Sequence, residues 1–180
     1  HLKNISGWKG FFAYCINADP MELLGNLKKI YYHTCTPNVI GGCHINFWSG
    51  LGAYTTARGF DIATHYQRSG IRILTDPSNK YSVSWPVLVK LGCMAGVDSM
   101  HVGMLGGYYP EGESEEETLE AIAICEKYNV IPSLSCGMNP VLAREIKERI
   151  GNNFMASVGG WLHTGDSLIK KVKEMRESLD

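Results

Sequence analysis

Six times along 180 residues, a short apolar run of strand character gives way to a longer stretch with helical spacing. Strands that each hand over to a helix mark a parallel sheet, because a parallel neighbour is reached only through a crossover of a dozen or more residues. Units of roughly 30 residues fill the chain, the length that a β–α–β unit needs. The fold class is therefore α/β, and the architecture is either an open doubly wound sheet or part of a (β/α)8 barrel. A full barrel takes about 250 residues, so the barrel alternative leaves two units outside this chain.

The first strand is expected over residues 11–17, an aromatic and apolar run. Asp19-Pro20-Met21-Glu22 then supplies a helix cap, a proline at the first helical position and an early acid. Leu23, Leu24, Leu27 and Ile30 share the apolar face of that helix. Further strands are expected from Val39 to Phe47, Phe60 to Tyr66, Ser99 to Gly103, Val130 to Leu134 and Phe154 to Val158. Glycines obscure the helix after the second strand. Ser84, Ser114, Asn139 and Asp166 read as helix caps, and Ser114-Glu-Glu-Glu117 as a capping box. The acidic run Glu111 to Glu117 reads as a solvated helix start, and the last helix should turn Leu168, Val172, Met175 and Leu179 inward.

Composition removes several functions. Seventeen basic residues against 18 acidic ones give no basic excess for nucleic acid. No apolar stretch approaches the ~18 residues of a membrane span. Six cysteines lie scattered without a C-x-x-C pair, which reads as buried, reduced thiols in a cytoplasmic setting, with Cys136 the one placed for chemistry. The start at His1, without an initiator methionine, reads as processed or truncated.

In either architecture ligands bind at the C-terminal ends of the strands. The polar residues expected there are Asn17, His44, Asn46, His65, Gln67, Arg68, His101, Ser135, Gly159 and Gly160. Gly159-Gly160, followed by Thr164-Gly165-Asp166-Ser167, lets a backbone approach a ligand closely and offers free N–H groups, the chemistry of a phosphate site. Ser135-Cys136-Gly137 adds a hydroxyl and further backbone donors, and Arg68 is a candidate anion clamp. The stretch from His101 to Pro110, with Gly103, Gly106, Gly107 and Tyr108, is long for a strand-to-helix joint and reads as a lid. There is no HExxH and no acidic cluster at a strand end, and Gly50-Leu-Gly52 lacks the third glycine of a dinucleotide fingerprint.

Taken in order, these segments resemble ribulose bisphosphate carboxylase/oxygenase, RuBisCO. Ala95-Gly-Val-Asp-Ser-Met-His101-Val-Gly resembles the family's approach to its mobile sixth loop. Pro132-Ser-Leu-Ser-Cys-Gly-Met-Asn-Pro140 resembles its seventh strand and loop, and Gly151-Asn-Asn-Phe-Met-Ala-Ser-Val-Gly-Gly160 its eighth. His65-Tyr-Gln-Arg68 with Leu74-Thr-Asp-Pro77 resembles the fifth-strand H-x-H-R segment. The resemblance implies a parallel (β/α) barrel of the RuBisCO type. Six of its eight strand–helix units are present: residues 1–180 form one domain supplying strands three to eight, and the N-terminal domain and first two strands are absent.

The resemblance further implies that His65 and His101 are catalytic and that Arg68 and His101 face one substrate phosphate. Ser135, Gly137, Gly159 and Gly160 would hold hydroxyls and the other phosphate. Mg2+ is implied as cofactor, with its ligands outside this chain. The partners implied are a phosphorylated sugar or ketose, and a homo-oligomer or a chain supplying the missing strands. Departures point to a divergent RuBisCO-like protein of form III/IV type. The second histidine of H-x-H-R is Gln67, a further family histidine is Ile71, and the loop lysine of carboxylases is replaced by Tyr108. The expected function is enolisation or isomerisation of a phosphosugar once the missing strands and Mg2+ complete the site. The alternatives are a non-catalytic phosphosugar-binding or assembly subunit, or a fragment of a carboxylase.

Overall fold

The computed structural model describes residues 12–16, 20–34, 41–106, 113–165 and 167–180. Strands β1 (Phe12–Ile16), β2 (Gly41–Asn46), β3 (Ala63–Gln67), β4 (Ser99–Gly103), β5 (Ile131–Leu134) and β6 (Met155–Ala156) form one sheet in sequential order. Every neighbouring pair is parallel. A doubly wound sheet reverses its strand order at a switch point; this order never reverses, which selects the barrel alternative. The sheet also curls, since Met155 of β6 lines a cavity of about 70 Å³ together with Gly42 and His44 of β2.

The helices are α1 (Pro20–Thr34), α2 (Gly52–Arg58), α3 (Arg72–Thr75), α4 (Trp85–Met94), α5 (Glu115–Lys127), α6 (Pro140–Ile150), α7 (Gly159–Leu162) and α8 (Leu168–Leu179). They pack on one face of the sheet through alternate strand residues. Cys43, Ile45, Tyr66, Met100, Val102 and Leu134 are all buried there. Each large apolar side chain so buried contributes ~1.5–3 kcal/mol over its exposed state. Tyr66 stacks on Tyr54 of α2 with ring centroids 5.2 Å apart, and the Tyr54 hydroxyl donates to the Ile45 carbonyl at 2.7 Å. Gly92 lets α4 lie against the sheet. A Cβ there would come within 2.3 Å of the Met100 side chain and 3.2 Å of Tyr66.

Several sequence expectations are corrected. The third strand begins at Ala63, not Phe60, because the Phe60 and Asp61 amides bond back to Ala57 and Arg58 at the end of α2. Phe47 leaves β2 for a short 3-10 turn, Phe47–Ser49. Leu24 is exposed while Leu23 and Leu27 are buried. Ser84 stands at the α4 cap position but its side chain makes no capping bond. In α8 the buried residues are Lys171, Met175 and Ser178, whereas Leu168 and Val172 are exposed. Glu113, expected in solvent, is buried. Phe11, Asn17, Asp19, Gly107, Tyr108 and Asp166 lie outside the described residues.

Candidate functional site

The alternation that sends apolar residues to the helices brings polar ones together on the other face of the sheet. His44, His65, Ser99, His101, Ser133, Ser135 and Ser157 make their contacts with one another there. The interiors of such barrels are usually filled by branched apolar side chains, so a polar lining marks this interior as a site. The His44 and His65 rings lie 4.5 Å apart, His65 Nδ1 shares a hydrogen bond of 2.8 Å with Ser99 Oγ, and the hydroxyls of Ser133 and Ser157 are 3.1 Å apart.

Arg68, just past the end of β3, is 1% exposed. Its Nε donates to His101 Nδ1 at 2.9 Å, its Nη2 pairs with Glu113 Oε1, and its guanidinium lies 5.2 Å from the Trp85 ring centroid. Trp85 is held in turn by its own indole N–H, which donates to the Val102 carbonyl at 2.9 Å. A ring nitrogen that accepts from a guanidinium carries no proton, so His101 is the neutral tautomer with its proton on Nε2. Nε2 then donates to Ser135 Oγ. Burial, with the positive Arg68 beside it and then His65, pushes the His101 pKa down from 6.5 to about 3. Burial, then His44, takes His65 to about 4. Both imidazoles are neutral at pH 7. The outcome is a buried chain, Glu113–Arg68–His101–Ser135, that fixes the Ser135 hydroxyl.

Ser135 opens onto a cavity of about 470 Å³, lined also by Cys136, Gly137, Asn139, Ser157, Gly159, Gly160 and Thr164. The structure thus brings Ser135, Gly137, Gly159 and Gly160 together, as the sequence places them. Among the described residues, no acidic side chain lines this cavity. Gly137 turns the chain with φ +93 and follows Cys136, a non-glycine residue at φ 76. Behind the wall, Lys171 of α8 is buried and donates from Nζ to the Trp161 carbonyl at 2.6 Å and to Thr164 Oγ1 at 2.9 Å. That ammonium anchors the segment carrying the glycines and sets a positive potential behind it. Apolar periodicity alone does not reveal it.

Gly103 and Gly106, read as the start of a lid, have positive φ of 131 and 68. At Gly103 a Cβ would lie 2.9 Å from Thr118 Oγ1 and 3.0 Å from Glu113 Oε1, so the Arg68–Glu113 pair nests against bare backbone. Glu113 is the site residue that the sequence reading misses. Its acidic neighbours mask it, and its partner is 45 positions away. Among the described residues, no group of three His, Cys, Asp or Glu side chains could hold a metal ion. The donors present do not fit Mg2+.

The fold is that of a (β/α)-barrel protein with a polar cavity at the strand C-termini. No family model matches the chain. The ribulose bisphosphate carboxylase of Dechloromonas aromatica (strain RCB) is 27% identical over 148 residues, 73% of this chain and 32% of its own length. A rubisco-like protein from Burkholderia fungorum superposes with a TM-score of 0.79 at 20% identity, over 97% of this chain and 44% of that one. The dimeric archaeal Rubisco of Hyperthermus butylicus gives 0.74 at 24% identity, over 93% and 42%. The chain spans about a third of the length of the curated relatives it matches. Sequence and fold together support the RuBisCO superfamily, over a C-terminal portion of it.

Proposed function

We propose that this chain is the barrel portion of a RuBisCO-like protein that binds a phosphorylated sugar or ketose and, once complete, enolises or isomerises it. Residues 1–180 act as one domain equivalent to barrel strands three to eight, with the first two strands and an N-terminal domain supplied outside it. One observation carries the ligand. Gly159 and Gly160 have helical backbone and, among the described residues, nothing within 4 Å of the position a Cβ would take. The fold therefore has no need of glycine there, and the bare backbone serves the adjoining cavity. Among the described residues, an anion in that cavity meets hydroxyl donors, no carboxylate and the Lys171 charge behind the wall.

Enolisation removes a proton next to a carbonyl and stabilises the oxyanion that forms. Since His101 Nε2–H already donates to Ser135 Oγ, the serine proton is left for Cys136 Sγ, 3.4 Å away, or for a sugar oxygen that takes its place in the cavity. His101 has both ring nitrogens engaged and acts as a positioning residue. His65 keeps Nε2 outside its bond to Ser99 and lines a separate, smaller cavity with His44; it is the imidazole we assign as proton acceptor. Mg2+ is part of the family expectation, and no step above runs through it. Self-association is part of the same reading, in keeping with the dimeric Hyperthermus structure. So is a cytoplasmic setting, in keeping with the free thiols of Cys43, Cys93, Cys125 and Cys136. No helix among the described residues is long and apolar enough to cross a membrane.

The test is calorimetric titration of ribulose 5-phosphate into the full-length protein and its Gly160→Val variant. Open space at Gly160 accommodates the valine, so the thermal midpoint should hold within a few degrees while affinity falls at least ~10-fold, a hydrogen bond to a charged group being worth ~1.5–3 kcal/mol. Equal affinity in the two proteins sinks the assignment.

A further inference from the structure

The outer helices differ sharply in what they present to solvent. α5 carries six charged residues in 13, α6 five in 11 and α8 six in 12, enough to wet one face of each. α4 carries one in ten, Lys90. Its inner side accounts for Trp85, Leu88, Val89 and Cys93, all buried. Its outer side is the stripe Val87, Lys90, Leu91 and Met94, at the i, i+3, i+4, i+7 spacing of one helix face. Val87 is 47% exposed there, Leu91 39% and Met94 63%. In the segment leading to the helix, Ile73, Tyr81 and Val83 are exposed as well. A helix that is apolar all round belongs in an interior, and the sheet covers α4 on one side. Apolar surface gathered in this way marks an interaction site.

Position in the sheet narrows what covers it. α4 joins β3 to β4, the two middle strands of the six. Further strands join the described sheet at its outer strands, β1 and β6, across the barrel from α4, so closing the barrel leaves this stripe bare. The neighbouring helix α5 packs beside α4 and shows Glu116, Leu119, Glu120 and Ala123 to solvent. Together the two helices hold an apolar stripe, an ammonium and two carboxylates, the composition of a surface that fits itself. We infer that the α4–α5 face is an interface between two copies of this chain. It is isologous, the same patch serving on both sides. A two-fold axis running between the helices lays α4 of one copy along α5 of the other. Val87, Leu91 and Met94 then cover Leu119 and Ala123, and Lys90 turns towards Glu116 and Glu120. The inference names a surface for the self-association proposed above and rests on that reading.

The experiment is sedimentation equilibrium of the full-length protein and of its Leu91→Glu and Met94→Glu variants. Both positions face solvent in the single chain, so the new charge should leave the fold in place and halve the assembled mass. A variant that keeps the wild-type mass overturns the inference, whether its thermal midpoint holds or falls; a fall at constant mass assigns the stripe to another segment of the same chain. A second measurement needs no variant. Dilute hydrogen peroxide should convert Met94 to its sulfoxide several-fold more slowly in the associated wild-type protein than after dilution has dissociated it. Equal rates in the two states overturn the inference as well. A wild-type protein that is monomeric at every concentration is a separate outcome: it overturns the self-association reading and this inference with it, and leaves phosphosugar binding to its own test.

Discussion

An imidazole wedged between a guanidinium and a serine hydroxyl cannot be charged, and the consequence for His101 reaches beyond the site. Its folded pKa of about 3, and about 4 for His65, lie below the ordinary 6.5. Between those values the unfolded chain binds protons that the folded one refuses, so stability must fall as pH drops. The contribution is whole above pH 6.5 and is lost progressively below it, at about 1.4 kcal/mol per pH unit for each imidazole. Urea midpoints at pH 7, 6 and 5 should decline accordingly, and His101→Gln should remove about half of the slope. A flat profile from pH 7 to 5 would show that these rings are solvated. At this scale the sequence is a partial guide. The strand-end polar residues His65, His101 and Ser135 are legible from alternation and position. Arg68 is legible as a cation at a strand end, but its partner is not, because nothing local to Glu113 distinguishes it from the solvated acids that follow.

Helix starts are the elements most legible in the chain, since their signals are local. Ser114 Oγ accepts from the Glu117 amide at 3.1 Å, and Glu117 Oε2 accepts from the Ser114 amide at 3.0 Å, completing the capping box that the sequence spells. This cap also fixes the chain one residue after Glu113. Ser114→Ala should therefore cost about 1 kcal/mol in urea denaturation, and a loss below ~0.3 kcal/mol would mean that the box is not holding the helix entry. Helix faces are less legible where a tertiary bond overrides apolar spacing. Apolar periodicity turns Leu168 and Val172 inward, yet the three acceptors that Trp161 and Thr164 offer draw Lys171 in instead. The start of β3 is displaced for a similar reason. Phe60 looks like a strand residue by type, but its amide is already committed to the end of α2.

For the molecule as a whole, strand order is the property that composition and periodicity leave open, and the one that matters most for function. A sequential, curling parallel sheet gathers the ends of β3, β4, β5 and β6 around one mouth, as a sheet with a switch point would not. For the proposed function, charge sets the limit. No lysine or arginine stands between Lys90 and Lys127 in the sequence. Carboxylation creates a new carboxylate whose charge must be met, and one such electrostatic contribution is worth on the order of 100- to 1,000-fold in rate. Enolisation makes no such demand of the loop. The decisive measurement follows deuterium wash-in to the carbon beside the carbonyl of ribulose 5-phosphate, alongside incorporation of labelled CO2 with ribulose 1,5-bisphosphate. Both are run on the full-length protein with Mg2+ present. The expected result is exchange that Gly160→Val suppresses, with no labelled phosphoglycerate; phosphoglycerate at ordinary turnover, or binding of the ketose phosphate without exchange, would contradict it.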